Sequence, residues 1–223
     1  AFMAISVAML GLGAGGLFSY FLAGWLERGG VWPRLAPIAA LNGFVMAVAL
    51  AVILRQSVAL EFSFQNLKPL AIVYFSAILP FFFSGLVLAV ALARTAQWAG
   101  TVYFADLAGA SLGCLLLIPL LEWLGGPNTI LAAATLFGLS GVFWSLAGSA
   151  ADDAGAVGRS RWAWWLVVPL SLSAVVALNV RSRFLDIRYV KVRILDQELY
   201  SRWNSFSRVG VDRIFLETSP KVA

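Results

Sequence analysis

In the stretch VYFADLAGASLGCLLLIPLL (102–121) one carboxylate, Asp106, stands among apolar, small and aromatic residues. An acid inside an apolar span is costly and is by default a functional candidate. The chemistry open to it is narrow. It could hold a proton or a small cation, or make a polar contact to a substrate amine. The competing role is a carboxyl that locks helix packing near an interface. Asn42, in a second apolar run, is the other polar candidate, as a ligand or as glue between helices. Little other chemistry is available. The chain has no His, which removes His-based acid–base catalysis, His metal sites and Ser-His-Asp triads together. Its single Cys, Cys114, can form neither an internal disulfide nor a Cys-cluster metal site, and reads as a small packing residue.

The elements that must position these residues are helices. Residues three and four apart share a helix face, so Asp106 aligns with Val102, Gly109, Ala110 and Gly113. Gly109 and Gly113 have the G-x-x-x-G spacing that lets two helix backbones approach. This face is therefore expected to pack on another helix and to turn Asp106 into a bundle, with Leu115, Leu116 and Leu117 covering the rest. At 1.5 Å per residue Asp106 lies only about 7 Å from the start of its span, where water can reach it. Asn42, Tyr20, Ser84, Tyr103 and Arg94 are its possible partners. A second glycine cluster, GLGAGG (11–16), matches G-x-G-x-x-G literally. A phosphate loop needs a strand end, a turn and a helix N-terminus, whereas these glycines sit midway along an unbroken apolar run. Gly11 and Gly15 are read instead as a helix-packing pair.

The 223 residues are 61% hydrophobic and only 12% charged, with a mean hydropathy of +0.87. Soluble domains carry about 25% charged residues. The expected fold is an all-α integral membrane helical bundle of about six transmembrane helices, with a short C-terminal β-hairpin. The spans are placed at roughly 2–26, 35–54, 69–93, 101–121, 128–147 and 162–180, each near the ~20 residues a bilayer requires. Trp25, Trp32, Trp98, Trp123, Trp162, Trp164 and Trp165 lie near span ends, where indoles settle. Pro80 and Pro119 predict kinks within spans. Glu122, beside Trp123, reads as interfacial. The chain is apolar from Ala1, with no charged region before the apolar run, which argues against a signal peptide and for a lost N-terminal segment.

Residues 181–223 hold nine Lys/Arg against five Asp/Glu. A basic stretch that follows an apolar span points to anionic lipid, not nucleic acid. The positive-inside rule does not settle orientation, because the loops and the tail weigh on opposite sides. A non-spanning last segment or a missing helix would resolve that conflict. Past Val180 the apolar period shortens. IRYVKVRIL (187–195) alternates as one strand, FSRVGVDRIFL (206–216) as a second, and DQELYSRWNS (196–205) is expected to turn between them.

AFMAISVAMLGLGAGGLFSYFL (1–22), LPFFFSGLVLAVALAR (79–94), VYFADLAGASLGCLLLIPLLEWLGGPNTILAAA (102–134) and ELYSRWNSFSRVGV (198–211) together resemble the membrane-bound spermidine-synthase-like proteins of bacteria. The resemblance covers most of the chain and is most specific at YFADLAGASLG and WNSFSRV. It implies a facilitator-like helical region joined to a C-terminal aminopropyltransferase-like domain, in a bacterial inner membrane. It also implies a further helix before Ala1, and a catalytic domain after Ala223 that uses decarboxylated S-adenosylmethionine and takes a polyamine substrate. Residues 181–223 would then be the start of that soluble domain. The cofactor loop and catalytic acid of the family are not in this sequence, so the 223 residues alone are expected to bind no cofactor and to catalyse no aminopropyl transfer. Soluble relatives carry a S-x-Y-Q-like motif on the hairpin. The matching positions are Asn204 to Ser207, with Ser207 in place of the glutamine. Trp203, Ser207 and Arg208 are thus the substrate-side candidates by resemblance. A transporter-like protein moving a small cation or amine, with Asp106 as coupling residue, is the other functional expectation. A purely structural membrane protein is the third.

Overall fold

Long apolar runs fold as helices because a helix satisfies every interior backbone N–H and C=O within itself. The computed structural model describes residues 2–27, 31–56, 64–151, 164–187, 189–190, 193–194, 198–204 and 207–212. Its elements are α1 (Phe2–Glu27), α2 (Val31–Leu54), α3 (Phe64–Arg94), a 3₁₀ turn (Ala96–Trp98), α4 (Ala99–Leu124), α5 (Gly126–Ala151), α6 (Val167–Ser182), β1 (Tyr189–Val190), β2 (Arg193–Ile194), β3 (Glu198–Trp203) and β4 (Arg208–Asp212). Five helical stretches, Phe2–Trp25, Val31–Leu54, Asn66–Arg94, Ala96–Leu124 and Gly126–Gly148, are long and apolar enough to cross a membrane. The sixth apolar segment was expected at 162–180, and its start lies outside the described residues. Its 16-residue helix is about 24 Å long, less than the ~30 Å hydrocarbon core. The linker at 152–163, with Arg159, Arg161 and Trp162, lies outside the described residues, as does Arg28.

Glycines set the helix pairings by letting backbones touch. A Cβ on Gly11 would stand 2.6 Å from Phe81 Cβ and 2.9 Å from the Ile78 carbonyl oxygen, and one on Gly15 would collide with the Phe82 carbonyl. Contacts that advance together along both chains make α1 and α3 parallel. Between α2 and α5 the same device runs the other way. Gly43 meets the Ala134 carbonyl (2.6 Å from the built Cβ) and Gly141 the Ala36 carbonyl (2.9 Å), so this pair is antiparallel. Where the two pairs meet, Leu35, Leu86 and Val90 form a buried cluster. Trp32 stacks on Trp144 at 5.6 Å and 4°, tying one end of α2 to α5. α6 lies antiparallel on α5, with Gly138 against Pro169 and Asn128 bonded to Asn179. Its C-terminus therefore returns to the end of the bundle where α5 begins.

α4 departs from the expected packing. No residue of α4 is buried, and Gly109 and Gly113 meet nothing within 4 Å. Cys114, expected to pack, is exposed. The helix joins α5 through Gly125 alone, whose φ of 78° suits a residue without a Cβ. It leans on α5 and β3 near that joint. Hydrophobicity alone does not separate lipid-facing from protein-facing helices, because lipid is as apolar as a protein interior. α3 and α4 continue as helix through Pro80 and Pro119.

The tail contains two hairpins, not one. β1 and β2 pair antiparallel with Tyr189 opposite Ile194, within the segment expected to be a single strand. β3 and β4 pair with Ser201 opposite Gly210 and Trp203 opposite Arg208. Most of the expected turn is thus strand. The reversal falls at Asn204–Ser207, where the Ser207 N–H donates to Asn204 Oδ1 (2.6 Å) and the Asn204 N–H to the Ser207 carbonyl (2.9 Å). An Asx-stabilised turn of this kind needs only one well-placed Asn.

Candidate functional site: a polar joint between the helix ends and the hairpin

The bundle offers few polar groups, and several of those with partners across elements meet at one place. α4 ends at Leu124, α5 starts at Gly126 and α6 ends at Ser182. Asn179, on the last turn of α6, is 1% exposed. Its Nδ2 donates to Asn128 Oδ1 on α5 (2.7 Å) and to the Leu185 carbonyl (3.1 Å), and its Oδ1 accepts from the Leu185 N–H (2.6 Å). Asn128 Nδ2 in turn donates to the Leu124 carbonyl, an α4 group left over at the helix end (2.8 Å). Arg183, with a left-handed φ of 50°, closes α6 by donating its N–H to the Asn179 carbonyl (2.8 Å). Two amide side chains, Asn179 and Asn128, thus join α4, α5, α6 and the chain leaving the bundle. A buried amide with every group satisfied rigidifies such a junction.

β3 is laid across this joint. The Trp203 indole covers the Gly125–Gly126 backbone. A Cβ on Gly126 would lie 2.6 Å from Trp203 Cη2, and one on Gly125 3.1 Å from Cδ1. Only glycine lets a ring approach the α4–α5 turn this closely. Beneath the hairpin a cavity of about 230 Å³ opens, lined among others by Glu122, Asn128, Arg183, Asp186, Arg202 and Trp203. Two acidic and two basic residues are among those that line it.

The expected site residues are scattered. Asp106 is exposed on α4, so the expectation that its face packs on another helix of this chain is not met. Among the described residues it has no hydrogen bond or ion pair. Two of its proposed partners are engaged with each other. Asn42, 1% exposed on α2, donates from Nδ2 to Ser84 Oγ on α3 (2.9 Å), and Ser84 Oγ donates to the Pro80 carbonyl (2.8 Å). Asn42 Oδ1 is buried without a hydrogen-bond partner among the described residues. Tyr103 is 59% exposed and Tyr20 81%. Gly11 and Gly15 lie at the α1–α3 contact. Of the three hairpin candidates, Trp203 reaches the joint, Arg208 faces it in the β-ladder, and Ser207 is exposed at the turn.

Asn179, Asn128, Gly125 and Gly126 were not singled out from the sequence. The signal was present in GGPN (125–128), a turn cluster wedged between two apolar runs, and in the one amide near the end of the last run. Their joint action needs α5 and α6 to be antiparallel neighbours, which no local pattern states. No family model, curated protein or solved structure matches the chain.

Proposed function

We propose that this chain is the membrane region of a spermidine-synthase-like protein, and that it anchors and orients a following aminopropyltransferase-like domain at the membrane surface. The observation that carries this reading is the seat of Trp203 on Gly125–Gly126. A strand outside the helices is held against the turn that joins two of them, α4 and α5, which is what a rigid anchor for an attached domain requires. A simple tether would need no such contact. The five helices with membrane-spanning length and composition supply the anchor. The resemblance at WNSFSRV (203–209) supplies the identity of the attached domain.

The test is to read the coding sequence through Ala223 and to assay membranes containing the encoded protein. The readout is aminopropyl transfer from decarboxylated S-adenosylmethionine to a diamine. Residues 1–223 alone are expected to give no transfer, and the continued chain to bind the cofactor. A stop codon directly after Ala223, or transfer by the 223-residue chain, refutes the reading. The transporter reading is favoured by one observation, the exposed Asp106 carboxylate, which has no partner among the described residues. It requires that Asp106→Asn abolish uptake of a cation or amine into vesicles without loss of folded protein.

A further inference from the structure

We propose that the cavity beneath the hairpin binds a zwitterionic group bearing one ammonium and one phosphate, the chemistry of a phosphoethanolamine headgroup. Four charged residues are among those that line it, Glu122 and Asp186 of one sign and Arg183 and Arg202 of the other. Among the described residues none of these four forms an ion pair. Asp186 Oδ1 accepts only the neighbouring Ile187 N–H (2.8 Å). Within the described residues their charge is left for a ligand. A simple anion or cation would meet two like charges here, whereas a zwitterion can present each end to its opposite. The phosphate end is matched by guanidinium forks. The ammonium end is matched by the two carboxylates.

Position points the same way. The cavity lies at the ends of α4, α5 and α6, and Trp123 and Trp203 are among its lining residues. This is the level at which indoles and lipid headgroups meet. The amides of the joint, Asn179 and Asn128, are already engaged with each other and with the backbone. The inference rests on the bilayer part of the reading above and not on the attached domain. A phospholipid and a soluble phosphoamine share this chemistry.

The chain, purified in mild detergent and stripped of lipid, is offered equal amounts of phosphatidylethanolamine and phosphatidylglycerol with matched acyl chains. Retained lipid is counted by native mass spectrometry. Phosphatidylethanolamine should be retained roughly tenfold over phosphatidylglycerol, the preference that about 1.4 kcal/mol would give. Arg183→Gln with Arg202→Gln should lower its retention by about the same factor. Glu122→Gln with Asp186→Asn should erase the preference for it. Displacement by millimolar O-phosphoethanolamine would assign a soluble ligand, and resistance to displacement would assign the lipid. Equal retention of the two lipids by the unaltered chain overturns the proposal without reference to any variant. So does retention that neither pair of substitutions changes. Neither result bears on aminopropyl transfer, so the two readings fail separately.

Discussion

Replacing Trp203 with Ala should release the β3–β4 hairpin from the bundle and leave the bundle intact. A Trp buries about 150–250 Å² when fully covered, and Trp→Ala in a closed core costs about 3–5 kcal/mol. Trp203 is only partly covered, which reduces the expected loss to about 2–3 kcal/mol. That is a shift of roughly 30- to 150-fold in the docking equilibrium. A two-stranded hairpin is marginal by itself in water, so an undocked β3–β4 pair should open. The assay is amide hydrogen exchange on the chain in nanodiscs. Exchange across residues 200–211 should speed up by about that factor, and amides of the α2–α5 contact should be unchanged. Gly126→Ala should act in the same direction, because its Cβ would lie 2.6 Å from Trp203 Cη2 and the rigid ring must move away. Gly109→Ala, with nothing within 4 Å, is the control. Unchanged protection of the hairpin in Trp203→Ala would refute the docking argument. Equal loosening of α2 and α5 would refute its locality.

Asn179→Ala removes three hydrogen bonds at the joint and should lower the Tm of the chain in detergent, with a cost of about 2–4 kcal/mol from the stranded backbone groups; a change under about 0.5 kcal/mol would deny it a structural role. Gly15→Leu should separate α1 from α3, since its Cβ collides with the Phe82 carbonyl, and cross-linking between the two helices should fall while α2–α5 cross-linking persists. Asn42→Ala should cost about 1 kcal/mol, the scale of an interhelical bond in a membrane, read by the same unfolding assay. Asp106→Asn should leave stability equal or slightly raised, because no partner within the described residues is lost and an acid is removed from an apolar helix; a clear fall in Tm would show that the carboxylate has a stabilising contact.

What the sequence by itself determined is the solvent and the element type. Sixty-one per cent hydrophobic residues in runs of about twenty leave only helices able to satisfy their backbone in an apolar medium. Gly11 and Gly15 were legible as packing residues because backbone contact needs a missing Cβ wherever the partner comes from. The same logic misplaced Gly109, Gly113 and Asp106. A glycine face records that a helix can be approached, not that this chain supplies the neighbour. The hairpin was legible as alternation but not in register, because pairing is chosen by the partner strand and by the Asn204–Ser207 turn. Only the tertiary structure joined Asn179 to Asn128, fifty-one residues away in sequence, and set Trp203 over Gly125 and Gly126. Those contacts depend on α6 running antiparallel to α5 and on the tail folding back onto the α4–α5 turn. That is a choice among global arrangements, and a local pattern of apolar and polar residues carries almost no information about it.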